Sequence, residues 1–316
     1  MSRVVVTDYT FPDLAQEAAA AGADFAAFQC RSAEDVTAAV VGAGVVLVQF
    51  APFTAAAAAA MKPGGTIIRY GVGYNNIDLA AAAKHGHKVG YVPDYCADEV
   101  ADHTAAAALT MLRKLPAMDA SVRRGEWTAV RLAKPMKPFS QTSFGFFGLG
   151  QIGRAVLARL KGFGFHFMAA DPGLSAADAA ALGVEQVSTE VLLQRADIIS
   201  LHAPATSQTT GYFNTARLAT MQPHAIIVNS ARGQLIVEAD LAEALTKGVI
   251  AGAALDVFHV EPLPADNPLR RAPNLLLTPH AAWYSEVAIH RLQELVAEDV
   301  SRALRGEGPR KPVPMG

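Results

Sequence analysis

The stretch Phe144-Gly-Phe-Phe-Gly-Leu-Gly-Gln-Ile-Gly153 places an apolar run directly before a GxGxxG turn. The residues that follow, 154–160, have helical apolar spacing, and an acid, Asp171, ends the next apolar run at 165–170. Glycines here permit a tight turn and close approach to a pyrophosphate, which the helix N-terminus receives, while the acid accepts hydrogen bonds from the ribose. The stretch therefore predicts a strand, turn and helix that bind a dinucleotide through Gly148, Gly150, Gln151, Ile152, Gly153 and Asp171.

Asp171 also bears on which dinucleotide binds. The next residues are Pro172 and Gly173, with no arginine or lysine immediately after the acid. A phosphate on the ribose would meet negative charge and find no basic partner. The sequence therefore predicts NAD in preference to NADP.

Apolar runs alternate with helical stretches along the whole chain. In the second half, runs at 144–147, 165–170, 198–201, 226–228, 251–255 and 275–277 predict six parallel strands. In the first half, runs at 4–7, 45–48 and 66–69 alternate with helical stretches at 12–21, 54–61 and 78–85. Helices are also predicted at about 98–113 and about 285–305.

These patterns predict an α/β protein with two doubly wound parallel-sheet domains. A Rossmann-type cofactor domain is expected at 98–287. It is inserted into a flavodoxin-like substrate domain formed by 1–97 and 288–316, to which the last helix returns.

The composition of the chain excludes some classes of partner and indicates where in the cell the protein is located. Because 27 Lys and Arg face 29 Asp and Glu, the chain lacks the basic surplus that binds nucleic acid, and no such partner is expected. Cys30 and Cys96 lie far apart with no Cys/His cluster, so neither a disulfide framework nor a metal site is expected. The uncharged run 36–61 is interrupted by glycine and proline and is interpreted as helix, strand and helix, not as a membrane span. With no signal-peptide pattern at the start, a cytoplasmic location is expected.

Three chemically capable residues each follow a predicted strand: Arg232, Glu261 and His280. The carboxyl ends of parallel strands line the ligand crevice of an open sheet, so these loops can bring all three toward a nicotinamide. Each residue alone has a simple structural explanation, as a turn arginine, a solvated glutamate or a helix-capping histidine. Their joint placement favours a site for oxidation and reduction.

Several motifs carry a resemblance to a known family. They are RYGVGYNNID at 69–78, GLGQIG at 148–153, LHAP at 201–204, NSARG at 229–233, ALDV at 254–257, Glu261-Pro262 and Thr278-Pro279-His280. Over nearly its whole length the chain resembles the D-isomer-specific 2-hydroxyacid dehydrogenases. The string HAAWYSE at 280–286 is similar to the C-terminal-binding-protein branch of that family.

The resemblance implies an NAD-dependent oxidoreductase that interconverts a 2-oxo acid and a D-2-hydroxy acid. It also implies that the chain forms a homodimer. It implies that His280 is the acid/base, that Glu261 holds its imidazole in the charged form, and that Arg232 binds the substrate carboxylate. It further implies substrate contacts from the amides of Val72 and Gly73 and, in the named branch, from Arg69. Most relatives have a small residue where this chain has Trp283, which lies three positions after His280 and is a further candidate for contact with the substrate. The cofactor contacts that the resemblance implies beyond the glycine turn and Asp171 are Thr104, His202, Ala203, Pro204, Thr209, Ser230, Ala231, Arg232, Asp256, His280 and Ala282.

Alternatives remain open at this point. His202 and Thr104 can equally be buried structural residues, and Trp283 can pack on its surroundings instead of selecting substrate. An NAD(H)-sensing scaffold for protein partners, of the C-terminal-binding-protein type, is the alternative function, although the intact Arg/Glu/His set argues against lost catalysis. Glu261 argues against a formate dehydrogenase, which has glutamine there. Glyoxylate, hydroxypyruvate, phosphoglycerate-type acids and larger apolar acids all remain candidate substrates.

Overall fold

The computed structural model describes residues 2–314. Its strands are β1 (Val4–Val6), β2 (Phe25–Ala27), β3 (Val45–Val48), β4 (Thr66–Arg69), β5 (Lys88–Tyr91), β6 (Ser143–Phe147), β7 (His166–Ala170), β8 (Glu185–Gln186), β9 (Ile198–Leu201), β10 (Ile226–Asn229), β11 (Gly252–Leu255) and β12 (Leu275–Leu277). Its α-helices are α1 (Ala15–Ala21), α2 (Ala33–Ala39), α3 (Ala55–Ala60), α4 (Leu79–Lys84), α5 (Ala97–Leu112), α6 (Leu115–Arg123), α7 (Ala129–Ala133), α8 (Gln151–Leu160), α9 (Ala176–Leu182), α10 (Thr189–Arg195), α11 (Thr215–Leu218), α12 (Glu238–Thr246) and α13 (Glu286–Leu304).

The chain forms two compact units. One, called the split unit, comprises the described residues of Met1–Cys96 and Tyr284–Gly316, and the other, called the central unit, comprises Ala97–Trp283. The second division falls just before α13, whose N-cap is Ser285. The sequence placed that boundary slightly later, between residues 287 and 288.

A five-stranded parallel sheet forms the split unit, in the order β2-β1-β3-β4-β5. This order is the flavodoxin-like one, with its topological switch point between β1 and β3. Val4–Val6 and Val45–Val48 are fully buried at its centre because both faces of a parallel sheet are covered. The edge strand β2 has the sequence Phe-Ala-Ala and is half-exposed, which explains why no apolar run indicated it.

The long C-terminal helix belongs to the split unit, where it packs against α1. Gln293 on α13 donates from Nε2 to the carbonyl oxygen of Asp13 at 2.8 Å and to Oε2 of Glu17 at 3.3 Å. The hydroxyl of Tyr70 donates to Oε1 of the same buried Glu17 at 3.0 Å. Burial raises the pKa of Glu17, although the hydrogen bonds it accepts oppose that shift.

A seven-stranded parallel sheet forms the central unit, in the order β12-β11-β10-β9-β6-β7-β8. Helices cover both faces, and α5 packs against α8. Phe144 and Phe146 are fully buried on one face, together with Val156, Leu157 and Leu160 of α8. The six expected strands are present. The seventh, β8, is a two-residue exposed edge with no apolar side chain, so the sequence did not indicate it.

The strand order reverses between β6 and β9 in the central unit. Loops at the carboxyl ends of these strands diverge there and leave a crevice for a ligand. Among residues 2–314, no helix combines the length and apolarity needed to cross a membrane.

Candidate active site

The glycine turn lies at the strand-order reversal of the central unit. Gly148 has φ +88°, and a Cβ added to it would lie 2.9 Å from the backbone nitrogen of Ala203. Any larger residue is therefore excluded on both conformational and steric grounds. Gly150 is the N-cap of α8, and no side chain caps the helix there. A Cβ added to Gly150 would meet no other atom, so the space in front of the helix is open. Gln151 and Ile152 begin the helix, whose first N–H groups suit an anion.

Asp171 is held beside this turn by backbone donors. Its Oδ2 accepts from the amide of Leu149 at 2.6 Å, and its Oδ1 accepts from the amide of Gly173 at 2.7 Å. The carboxylate thus has a defined orientation at the end of β7. Both oxygens keep acceptor capacity for the hydroxyls of a ribose.

The loop after β9 begins with a histidine that carries no charge at neutral pH. Nε2 of His202 is 2.8 Å from Oγ of Ser200, and its ring lies 5.9 Å from that of Phe146. Removal from water lowers the pKa of His202 to about 4. Further along, the hydroxyl of Thr209 donates to the carbonyl oxygen of Pro204 at 2.6 Å and closes the turn.

Glu261 and His280 form the central pair of the site. Nδ1 of His280 lies 2.6 Å from Oε2 of Glu261, whose Oε1 accepts from the amide of Phe258 at 2.8 Å. Burial works to raise the pKa of Glu261, but His280, the Phe258 amide and Arg232 together lower it. Glu261 is therefore anionic at neutral pH. Because Nδ1 faces this carboxylate, Nε2 is the nitrogen that can exchange a proton with a substrate.

Arg232 lies on the turn after β10. The side chain of Asn229 braces this turn, since its Nδ2 donates to the carbonyl oxygen of Arg232 at 2.9 Å and its Oδ1 accepts from the amide of Ala231 at 3.0 Å. A Cβ on Gly233 would lie 2.0 Å from the carbonyl carbon of Phe258. This close packing places the Arg232 turn against the loop that carries Glu261.

Asp256 organises the loop that presents His280. Its Oδ1 accepts from the hydroxyl of Thr278 at 2.5 Å and from the amide of Ala281 at 2.9 Å, and its Oδ2 accepts from the amide of Ala282 at 2.9 Å. Its carbonyl oxygen accepts from the amide of His280 at 2.8 Å. His280 has φ +54°, in the left-handed region. The contacts of Asp256 are thus structural ones within the His280 loop.

Thr104 is fully buried on α5. Its hydroxyl donates to the carbonyl oxygen of Val100 at 2.7 Å and lies 2.5 Å from Oγ of Ser230. Both contacts lie on the buried side of α5, and the assignment of Thr104 to the cofactor stays a prediction. Its neighbour His103 lines a small cavity together with Ser230, Asp256 and Thr278.

The split unit carries the motif of residues 69–78. Nη1 of Arg69 donates to the carbonyl oxygen of Tyr70, and its guanidinium carbon lies 5.8 Å from the centroid of the Phe50 ring. Gly71, with φ +120°, turns the chain into the half-exposed pair Val72 and Gly73. These substrate-binding candidates therefore lie together at the end of β4.

Residues 105–282 match the family model for the NAD binding domain of the D-isomer specific 2-hydroxyacid dehydrogenases. The chain belongs to this family. Among its relatives in the dehydrogenase family, it is 42% identical over 240 residues to a D-3-phosphoglycerate dehydrogenase of Methanocaldococcus jannaschii, covering 76% of this chain and 45% of that protein. It is 38% identical over 245 residues to a glyoxylate reductase of Korarchaeum cryptofilum, covering 77% of this chain and 74% of that protein.

A solved structure of the same fold superposes on nearly the whole chain. The crystal structure of the TT0316 protein from Thermus thermophilus superposes with a TM-score of 0.86 at 30% identity, covering 98% of this chain and 99% of that one. The chain spans about half the length of the curated phosphoglycerate dehydrogenases that it matches. None of these three relatives bears the C-terminal-binding-protein name, and that branch stays a prediction.

Most of the site residues predicted from the sequence lie in the central unit. Arg232, Glu261 and His280 meet in the central unit, where the glycine turn and Asp171 also lie. Trp283 is the last residue of that unit and is half-buried. His103 was not assigned from the sequence to the His280 loop, because only the fold brings α5 to Thr278. Within residues 2–314, no group of three or more His, Cys, Asp or Glu side chains could hold a metal ion.

Proposed function

We propose that the chain is an oxidoreductase that interconverts a 2-oxo acid and a D-2-hydroxy acid with NAD(H). The observation that carries the proposal is the pair formed by Nδ1 of His280 and Oε2 of Glu261 at 2.6 Å, beside Arg232. The three residues lie on loops at the carboxyl ends of strands in a segment that matches an NAD binding domain. This arrangement combines a proton donor, the anion that favours its charged form, and a carboxylate-binding cation.

The residues present suit NAD(H). Gly150 leaves open space for a pyrophosphate at the start of α8, Gly148 lets the turn pack closely against Ala203, and Asp171 offers acceptors to a ribose. When bound, NADH supplies a hydride, and NAD accepts one in the reverse direction. We assign the rest of the cofactor surface to residues along the same strand ends: Gln151, Ile152, Gly153, Thr104, His202, Ala203, Pro204, Thr209, Ser230, Ala231, Arg232, Asp256, His280 and Ala282.

Proton transfer in the proposed reaction belongs to His280. During reduction its Nε2 gives a proton to the carbonyl oxygen at C2 of the substrate, and during oxidation it takes the hydroxyl proton back. Glu261 stays anionic, because its pKa is lowered, and stabilises the imidazolium. His202 cannot share this task at neutral pH, since its pKa is about 4.

Substrate binding belongs first to Arg232, whose planar guanidinium can bind the substrate carboxylate through two parallel hydrogen bonds. We assign a supporting role to the amides of Val72 and Gly73 and to the charge of Arg69. In this proposal the central unit is the NAD-binding domain and the split unit is the substrate domain. The half-exposed indole of Trp283 offers an apolar face to larger side chains.

The experiment that tests the proposal is a panel of 2-oxo acids with NADH. The named relatives suggest glyoxylate and a phosphorylated 2-oxo acid, and the panel adds hydroxypyruvate and acids with apolar side chains. We expect loss of NADH absorbance with at least one member, and a loss of kcat of about 10²-fold or more in His280→Ala. Tight NADH binding without turnover of any member would favour the scaffold function instead.

We further propose that the chain works as a homodimer in the cytoplasm. Two apolar side chains of the segment after α6, Trp127 and Val130, are 91% and 70% exposed. Exposure of this kind is typical of a surface that another protein covers, and a second copy of the chain is the proposed occupant. Light scattering should give a dimer for the parent and a monomer for Trp127→Asp.

The cysteines support the proposed cytoplasmic location. Both cysteines are free thiols, which suits a reducing compartment.

A further inference from the structure

The loop that presents His280 holds an unfavourable backbone conformation. His280 has a Cβ and yet lies in the left-handed region, with φ +54°. Residues with a Cβ adopt this conformation uncommonly, although histidine does so more often than most, and contacts of the loop help to hold it. Asp256 does so through the amides of His280, Ala281 and Ala282, at 2.8, 2.9 and 2.9 Å. The orientation of the His280 imidazole therefore depends on where the Asp256 side chain is held.

The position of Asp256 is in turn set by Thr278. The threonine hydroxyl donates to Oδ1 of Asp256 at 2.5 Å. A hydroxyl has one hydrogen, so toward any other partner Oγ1 of Thr278 can only accept. The atom facing Oγ1 is Nε2 of His103, at 3.2 Å. His103 must therefore carry a hydrogen on Nε2.

His103 is the outermost member of this chain of hydrogen bonds. It lies on α5, which packs against β10 and β11, and its Nε2 is 3.8 Å from Oδ1 of Asp256. The Asp256 side chain is almost fully buried, whereas that of His103 is 27% exposed. Because α5 is anchored by its own contacts with the sheet, His103 provides the Thr278 hydroxyl with a donor from outside the His280 loop.

We propose that His103 is a positioning residue for His280, acting through Thr278 and Asp256. The inference rests on the proposed function, because it assigns a catalytic purpose to the orientation of His280. His103 touches neither reacting atoms nor substrate in this scheme. Its hydrogen bond holds the Thr278 hydroxyl, and through it the Asp256 carboxylate, which accepts from the amides of Ala281 and Ala282 next to His280.

The test compares a substitution that removes the donor with one that keeps it. His103→Leu removes the donor at similar volume, and His103→Gln retains an N–H near the position of Nε2. We expect His103→Leu to lower kcat roughly 2- to 10-fold with little change in the KM for NADH, and His103→Gln to restore most of it. His166→Leu is the matched control, since His166 begins β7 at the opposite, amino end of the strands.

A double-mutant cycle with Thr278→Val tests the serial order. Because the hydrogen bond to Thr278, at 3.2 Å, is closer than the 3.8 Å approach of Nε2 to Oδ1 of Asp256, most of the effect of His103 should pass through the Thr278 hydroxyl, and His103→Leu should cause a much smaller loss of kcat in the Thr278→Val background than in the parent. Two losses that multiply in the double variant would overturn the proposal. Wild-type kcat in His103→Leu would overturn it as well.

Nuclear magnetic resonance of the histidine rings provides a readout independent of turnover. The parent should show a hydrogen on Nε2 of His103, and the ring signals of His280 should shift in His103→Leu and not in His166→Leu. An Nδ1–H form of His103, or unmoved His280 signals, would contradict the inference. If the parent reduces no 2-oxo acid, the proposed function fails, while these signals still decide whether His103 positions the His280 loop.

Discussion

The Glu261→Gln substitution isolates the charge beside His280. Glutamine preserves the shape of the side chain and an acceptor for the amide of Phe258, but it removes the negative charge 2.6 Å from Nδ1 of His280. Reduction requires a protonated imidazole, so its rate falls as pH rises through the midpoint of the profile. Loss of the anion disfavours the imidazolium, and the midpoint should therefore move to lower pH.

The size of the effect follows from the geometry. Two unit charges about 4 Å apart interact by roughly 1 kcal/mol in water and roughly 4 kcal/mol at an effective dielectric of about 20. The side chains of His280 and Glu261 are 33% and 31% exposed, which places the pair toward the weaker limit, at about 1 to 2 kcal/mol. Since about 1.4 kcal/mol corresponds to a factor of ten, we expect kcat/KM for reduction above the midpoint to fall roughly tenfold in Glu261→Gln.

The assay is the initial rate of NADH oxidation, with kcat/KM measured from about pH 5 to pH 9. Glu238→Gln is the matched control, because Glu238 braces the neighbouring loop through the amide of His259 and the side chain of Asn267. Its midpoint should equal that of the parent. An unmoved midpoint in Glu261→Gln, or an equal shift in both variants, would refute the role assigned to Glu261.

Four further predictions concern the cofactor, the substrate and the fold. NADH should give at least about tenfold higher kcat/KM than NADPH, because Asp171 repels a ribose phosphate; equal use of both would contradict this. Trp283→Ala should lower kcat/KM for larger apolar 2-oxo acids by a factor equivalent to roughly 1 to 3 kcal/mol, and it should leave kcat/KM for glyoxylate nearly unchanged. An equal loss of kcat/KM for every substrate would identify Trp283 as a packing residue. Gly233→Ala should lower the thermal midpoint by several degrees, because its Cβ would overlap the carbonyl of Phe258; an unchanged midpoint would argue against that packing. Because the pKa of Glu17 is raised, the folded state holds the Glu17 proton more tightly than the unfolded state, and the free energy of unfolding should fall as pH rises above the ordinary glutamate pKa. Glu17→Gln should make the free energy of unfolding, measured in denaturant titrations, depend less steeply on pH. An unchanged pH dependence in this variant would exclude the effect.

The strongest sequence patterns predicted the fold most accurately. The run before Gly148 became β6, and the helical spacing after Gly150 became α8, because a buried strand and an amphipathic helix both leave periodic apolar residues. The strands that were missed, β2, β5 and β8, lie at sheet edges. β2 and β8 are short and exposed, whereas in β5 the lysine and glycine of Lys-Val-Gly-Tyr interrupt the apolar pattern although Val89 and Gly90 are buried. Parallel order in both sheets followed from the alternation of strands and helices.

The candidate site was predictable where a residue type and a strand end coincide, as for Arg232 and His280. The hydrogen bonds that hold the loops of these residues in place were not predictable. Asp256 was singled out in the sequence as a cofactor-binding candidate, and its hydrogen bonds to the His280 loop were not predicted. The left-handed backbone of His280 and the contact of His103 with Thr278 arise from the tertiary fold, and no local spacing encodes them.

Transfer of the C4 deuterium of labelled NADH to a 2-oxo acid, followed by chiral separation of the product, tests the proposed reaction most directly. We expect one deuterium at C2 of a 2-hydroxy acid with D configuration, and a rate about 10²-fold or more lower in His280→Ala. A product of L configuration, an unlabelled product, or full turnover by His280→Ala would contradict the account.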